Sequence, residues 1–221
     1  MLQSPLTAAK RSLQGLDLRP LLILAVLYGV VQWLPFQIFG WLQNEDGLME
    51  WASFAVLCLA AVEAGRMLKR GCRSRIERCG WLLLLCLLIL FAGEEIAWGE
   101  RLHGLGIDAI RSINTQEETT LHNIREFQNR GLLNLGWSIF ALSLASGWRL
   151  WPAFSPWPAR RQCLYFLIPG LWYAAFHACS KNCPVVVANH QEVYEFLIAL
   201  GLYLHTRCRW QERRRSEPPS P

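Results

Sequence analysis

The residues of this chain best suited to chemistry stand where its apolar segments end. Glu50 opens one such segment, Glu94 and Glu95 close another, and Glu192 and Glu195 open a third. Glu192 and Glu195 are three apart, as are Glu50 and Ser53, so on a helix each pair shares a face. Glu94 and Glu95 are adjacent, about 100° apart on a helix of ~3.6 residues per turn. One of them can face a cleft while the other bonds a neighbouring element. Trp98 follows Glu95 by three residues and is expected on the same helical face. Add His122, His177 and His190, and the set of imidazoles and carboxylates is of the kind that binds zinc or iron, or acts as general acid and base. The expected catalytic residues are Glu94, Glu95, Glu118 and Glu195, with Arg101 as a binder of phosphate or carboxylate. The expected metal ligands are His122 and His190, and the expected cofactor is a divalent metal ion. There is no H-E-x-x-H and no H-x-x-x-H, and Glu100 to His103 is a lone E-x-x-H where di-iron bundles use two. Each histidine therefore reads as well as a hydrogen-bonded or solvated side chain.

The elements that position these groups follow from composition. Of 221 residues, 52% are AVILMFWYC and only 18% are DEKR, against roughly 25% charged in a soluble domain. The uncharged residues fall in six runs, Leu21 to Gln43, Trp51 to Val62, Cys79 to Gly93, Gly131 to Trp148, Gln162 to Ser180 and Phe196 to Thr206. A soluble enzyme, a collagen-like or disordered chain and a disulfide-stapled domain are all excluded. The expectation is an all-α polytopic membrane bundle of six transmembrane helices. Its boundaries are a cytoplasmic segment 1–19, a transmembrane domain 20–207 with an outer loop 99–130, and a basic tail 208–221. The second, third and sixth runs are too short for a ~30 Å hydrocarbon core at ~1.5 Å per residue. Extending them outward draws in the five glutamates named above, and carboxylates at that depth are functional candidates by default. The competing reading places them at headgroup level.

Charge sorting gives an orientation. If the first helix starts inside, 17 of the 22 Lys and Arg lie on the cytoplasmic side, and 12 of the 17 Asp and Glu lie outside. By the positive-inside rule both termini are cytoplasmic. The surplus of +5 thus reads as topology and contact with membrane lipids rather than nucleic-acid binding, which is not expected. The first apolar run is longer than a signal-peptide core and no A-x-A site follows it, so it is expected to be retained.

In the outer loop, Thr115-Gln116-Glu117-Glu118 fits a capping box, followed by Leu121, Ile124 and Phe127. The expectation is a short amphipathic interfacial helix with Glu118 and His122 on one face. Cys179 and Cys183 lie on the outer side at a spacing that allows a disulfide or two free thiols, and the other six cysteines are expected reduced.

Two stretches, Gly93-Glu94-Glu95-Ile96-Ala97-Trp98-Gly99-Glu100-Arg101 and Asn114 to Asn123, resemble a family of uncharacterised bacterial multi-pass inner-membrane proteins. In that family the first motif usually reads G-E-E-I-S-W-G-Q-R and the second ends E-T-N-L-H-N; Ala97, Glu100 and Thr120 depart from it here. The resemblance implies a bacterial inner membrane and singles out Glu94, Glu95, Trp98, Arg101, Glu118, His122 and Asn123, without implying a reaction. A weaker similarity is to membrane hydrolases related to alkaline ceramidases, which carry a Glu and a Ser on one helix, as Glu50 and Ser53 do. Three functions stay open: a hydrolase or transferase acting on a lipid or lipid-linked substrate, a non-catalytic subunit or assembly factor whose protein partner is unknown, and a proton-coupled carrier.

Overall fold

The computed structural model describes residues 15–31, 33, 47–126, 132–152, 154–179 and 190–216, with residues 30, 31, 101 and 179 as backbone only. The described chain is all-helical; its sole β-type pairing is an isolated bridge between Asn114 and Ile124. In chain order the helices are α1 (Arg19–Val31), α2 (Leu48–Lys69), α3 (Arg75–Glu95), the one-turn α4 (Glu100–His103) and α5 (Asp108–Arg111), then α6 (Leu132–Leu150), α7 (Cys163–Cys179) and α8 (Gln191–Arg215).

Hydrophobic spacing decides how they pack. On α2 the buried residues Glu50, Ser53, Leu57, Ala60, Ala64 and Met67 recur at three or four, a single stripe. On α3 the stripe is Trp81, Leu84, Leu88 and Ala92, and Glu95 continues it one turn later. The start of α3 is set by Ser74, whose hydroxyl accepts from the Glu77 amide at 3.1 Å. Helix α2 packs between α3 and α8, and α7 between α8 and α6. Gly201 lets α8 come close to α7, since a Cβ there would stand 2.6 Å from that of Tyr165. Between α3 and α6 the contact is made by aromatic rings, Phe91 lying 5.1 Å from Trp137 and 5.5 Å from Phe140. That ring-bridged gap becomes the site described below.

At the opposite end of the bundle, aromatic rings hold several of the polar groups. The buried His205 ring stacks on Trp81 at 6.0 Å, and the Trp81 indole donates to Ser155 at 3.0 Å. The Arg70 guanidinium lies 4.3 Å over the Trp210 ring, joining α2 to α8.

The expectation of six independent spans is not met. Among the described residues two helices, α2 with 22 residues and α3 with 21, are long and apolar enough to cross a membrane, about 33 and 31 Å at ~1.5 Å per residue. Helix α1 has 13 described residues and α7 has 17. Helix α6 has the length, but Asn134, Ser138, Ser143 and Ser146 dilute it. Helix α8 continues through Arg215, so residues 208–215 extend the bundle rather than form a separate tail. The glutamates sit where the short runs required: Glu50 in the first turn of α2, Glu94 and Glu95 in the last turn of α3, Glu192 and Glu195 at the start of α8. Cys58, Cys72, Cys79, Cys86, Cys163 and Cys208 are free thiols; the Cys179–Cys183 pair lies outside the described side chains.

A Cβ on Gly147 would fall 0.9 Å from the Trp157 indole nitrogen, which donates to the Ser143 carbonyl at 3.1 Å. Gly147→Ala should therefore cost about 1–3 kcal/mol by overpacking, read as a lower thermal midpoint in detergent. Gly136→Ala, on the same helix with open space around it, should not lower the midpoint and should raise it slightly, since Ala is favoured over Gly within a helix.

Candidate functional site

The site begins with a left-handed turn. After α3, Ala97, Trp98 and Gly99 all have positive φ, at 46°, 57° and 82°, a conformation that costs non-glycine residues roughly 1–2 kcal/mol each. Local contacts hold it. The Trp98 ring lies against Gly93, where a Cβ would come within 2.8 Å of the ring. Its indole N–H donates to Glu94 Oε1 at 2.8 Å. The G-E-E-x-x-W-G spacing is thus a fold-back of the indole over the helix end, and Trp98 bonds Glu94 instead of sharing a face with Glu95.

The second oxygen of Glu94 organises the following loop. Glu94 Oε2 accepts from the amides of Leu121 at 2.6 Å and His122 at 3.1 Å, and lies 3.2 Å from His122 Nδ1. Glu100 acts in parallel: Oε1 pairs with the Arg111 guanidinium, and Oε2 accepts from the Thr119 amide at 2.8 Å. The Thr119 hydrogen bonds, with burial opposing and Arg111 assisting, hold the Glu100 carboxyl below its usual range. The fully buried Asn114 donates to the carbonyl and hydroxyl of Thr120, both at 2.8 Å, and accepts from the Gln116 amide. Asn123 donates to Gln116 at 2.7 Å.

Over residues 115–124 this arrangement overturns the expected amphipathic helix. Residues 115–124 form bends and turns, with Glu117 at φ 59°. The amide protons that a helix would turn inward at Thr119, Leu121 and His122 are captured by the carboxylates of Glu100 and Glu94. Glu118 and His122 consequently share no helical face.

The loop roofs a cavity of about 500 Å³ between α3, α6 and the start of α8. Its polar end carries Glu50, Glu94, Glu95, Glu192 and Glu195, together with His122 and Asn123 from the roof. Its other wall is apolar, with Phe91, Leu133, Trp137 and Phe140. Oxygens of Glu95, Glu192 and Glu195 all lie within 4.8 Å of one another. Glu195 is oriented at Oε1 by the buried Tyr173 hydroxyl at 2.9 Å and by Gln191 at 2.8 Å. Burial disfavours the His122 imidazolium, but the Glu94 hydrogen bond and the charges of Glu195, Glu94 and Glu50 outweigh it, so His122 titrates above an ordinary histidine.

Of the residues expected from sequence, Glu50, Glu94, Glu95, Glu195, His122 and Asn123 meet at this cavity. Glu118, Trp98, Ser53, His177 and His190 are not among its described lining residues. Ser53 is fully buried one turn beyond Glu50, and the His190 ring packs edge-on to Tyr28 at 5.1 Å. The side chain of Arg101 is outside the described set. Among the described residues, the group of carboxylates and imidazoles spaced closely enough to share a metal ion is Glu95, Glu192 and Glu195, and it includes neither His122 nor His190. Sequence reading passed over Gln116, Tyr173 and the aromatic wall. The i,i+4 spacing of Gln191 and Glu195 was the one legible sign of the orienting contacts.

Compared with protein-family models, curated proteins and solved structures, the chain matches none.

Because the His122 pKa is raised on folding, the stability from its pair with Glu94 is fully present below the unfolded value of about 6.5 and is lost as pH rises through the folded value. The thermal midpoint should fall across that alkaline window in the native chain, and His122→Gln should flatten the profile. Glu94→Gln should loosen the loop by about 1.5–3 kcal/mol, the range for hydrogen bonds to a charged group, seen as faster proteolysis within residues 115–124. An identical pH profile in His122→Gln would refute the pairing.

Proposed function

We propose that this chain is a multi-pass protein of a bacterial inner membrane, termini cytoplasmic, and that it is a hydrolase or transferase acting on a lipid or lipid-linked substrate from the outer leaflet. The bundle as a whole sits in the bilayer around α2 and α3. The orientation draws its support from the sorting of basic residues to the end away from the cavity. The observation that carries the enzymatic reading is the cavity's division into a carboxylate end and an aromatic wall. An acyl chain would lie along Phe91, Trp137 and Phe140 while the reacting polar group meets Glu95, Glu192 and Glu195.

The trio suits a hard divalent cation. Ligand oxygens 2.0–2.6 Å from an ion stand at most about 4–5 Å apart, which the separation within 4.8 Å allows. An all-oxygen donor set favours magnesium, manganese or calcium over zinc. When bound, such an ion would polarise a phosphoryl or carbonyl oxygen. It would also reduce the repulsion that the carboxylates impose on an anionic headgroup. The protein's own part is proton handling. Glu94 holds His122 through Nδ1, which fixes the tautomer and leaves Nε2 to exchange protons with substrate or water. Tyr173 and Gln191 keep Glu195 in one orientation, and Glu50 adds negative charge that favours the imidazolium.

Metal analysis of the detergent-purified chain should find about one divalent ion, lost in Glu192→Gln/Glu195→Gln. Release of product from a labelled phospholipid should fall about 10²–10⁴-fold in His122→Ala, the range for general acid–base catalysis. No metal in the native chain, together with full turnover in both variants, would reject the mechanism.

A further inference from the structure

At the other end of the bundle a second cavity, of about 520 Å³, opens between the start of α3 and the end of α8. Arg73, Arg209 and Arg213 line it, and so do the carboxylates Glu77 and Glu212. The carboxylates are already engaged. Glu77 accepts from the Ser155 hydroxyl and from the Arg73 amide at 2.7 Å. Glu212 pairs with Arg161 at 3.3 Å and with Arg209 at 3.2 Å. The guanidiniums keep donors in reserve. Arg213 gives one N–H to the Gly71 carbonyl at 3.1 Å. Arg209 bonds Glu212 through Nη1, while its Nε is buried and has no hydrogen-bond partner among the described residues. The Arg209 side chain as a whole stays 25% exposed, so the outer part of its guanidinium can meet an anion seated in the cavity.

The rim supplies the second half of the recognition. Ile76 is 62% exposed and Trp151 55% exposed, and Trp151 stacks on Phe154 at 5.1 Å. Apolar and aromatic side chains beside a guanidinium cluster, at the end of two membrane-length helices, match a ligand with an anionic head and an apolar body. A soluble anion would leave that rim without a counterpart.

We propose that this cavity seats the phosphodiester headgroup of an anionic phospholipid of the cytoplasmic leaflet, held by Arg209 and Arg213, with the acyl chains leaving over Ile76 and Trp151. The proposal rests on the membrane reading above and is independent of the chemistry at the carboxylate cavity. A chain that is not recovered in the membrane fraction would remove both readings, whereas a membrane-bound chain with no lipid preference would remove this one alone.

The full chain in nanodiscs of equimolar phosphatidylglycerol and phosphatidylcholine, released into native mass spectrometry, provides the test. The native protein should retain phosphatidylglycerol in preference to phosphatidylcholine by about fivefold or more, the factor expected for each arginine near anionic lipid. Arg209→Gln/Arg213→Gln should bring the two lipids to parity. Arg207→Gln/Arg214→Gln, the same loss of two charges at exposed positions outside the cavity, should keep the preference. If the double variant is not monodisperse by size exclusion, Arg73→Gln, in the loop before α3, decides by the same readout. Equal retention of both lipids by the native chain, or an unchanged preference in the cavity variants, would overturn the proposal. So would stabilisation by inorganic phosphate at matched ionic strength without any phosphatidylglycerol preference, which assigns the site to a soluble phosphate.

Discussion

One carboxylate, that of Glu94, holds the loop onto the bundle. It is 12% exposed and accepts from the Trp98 indole, two successive backbone amides and the His122 ring. A buried carboxylate is tolerable when its oxygens are saturated by donors, and here the donors come from the chain that must be anchored. The cost of burying the charge and the need to fix a loop without regular secondary structure offset each other. Truncate the side chain and the Leu121 and His122 amides lose their acceptor together, which is why the His122 position in the cavity depends on a residue of α3.

The same logic explains how charge is distributed over the molecule. In an apolar bundle a polar group is least costly where it finds a partner or water, and most of the charged side chains collect at the two ends. At one end Glu50, Glu95, Glu192 and Glu195 gather around a cavity and outnumber the cations facing it. At the other, Glu77 and Glu212 are matched by arginines and a serine, with guanidinium donors in excess. The two cavities are complementary in sign, one suited to a cation and the other to an anion. Aromatic residues set the first cavity's width, because Phe91, Trp137 and Phe140 prop α3 away from α6 where small residues would have let the helices close.

Much of this was legible in the order of residues. Helical class followed from apolar runs, and so did the position of the glutamates at the ends of their helices. The outer loop was not legible. Thr115 to Glu118 satisfies a helix-capping pattern, yet Asn114 bonds Thr120 and Gln116 instead, and carboxylates from 19 to 28 residues away take the amides the helix needed. Short polar side chains compete with helix wherever a buried partner is within reach, and that reach is a property of the folded chain. His190 shows the converse: expected from sequence as a metal ligand, its ring packs edge-on to Tyr28, while Glu95 from α3 lies beside Glu192 and Glu195.

By itself the sequence determined what depends on local composition and spacing: an all-helical chain poor in charge, a buried stripe on α2 and α3, and glutamates forced to the ends of their helices. The tertiary structure alone decided which of those ends meet. Convergence of Glu95 with Glu192 and Glu195 and capture of His122 by Glu94 both require segments distant in sequence to be placed side by side. Helix periodicity specifies the face on which a side chain stands, but only packing specifies what stands opposite.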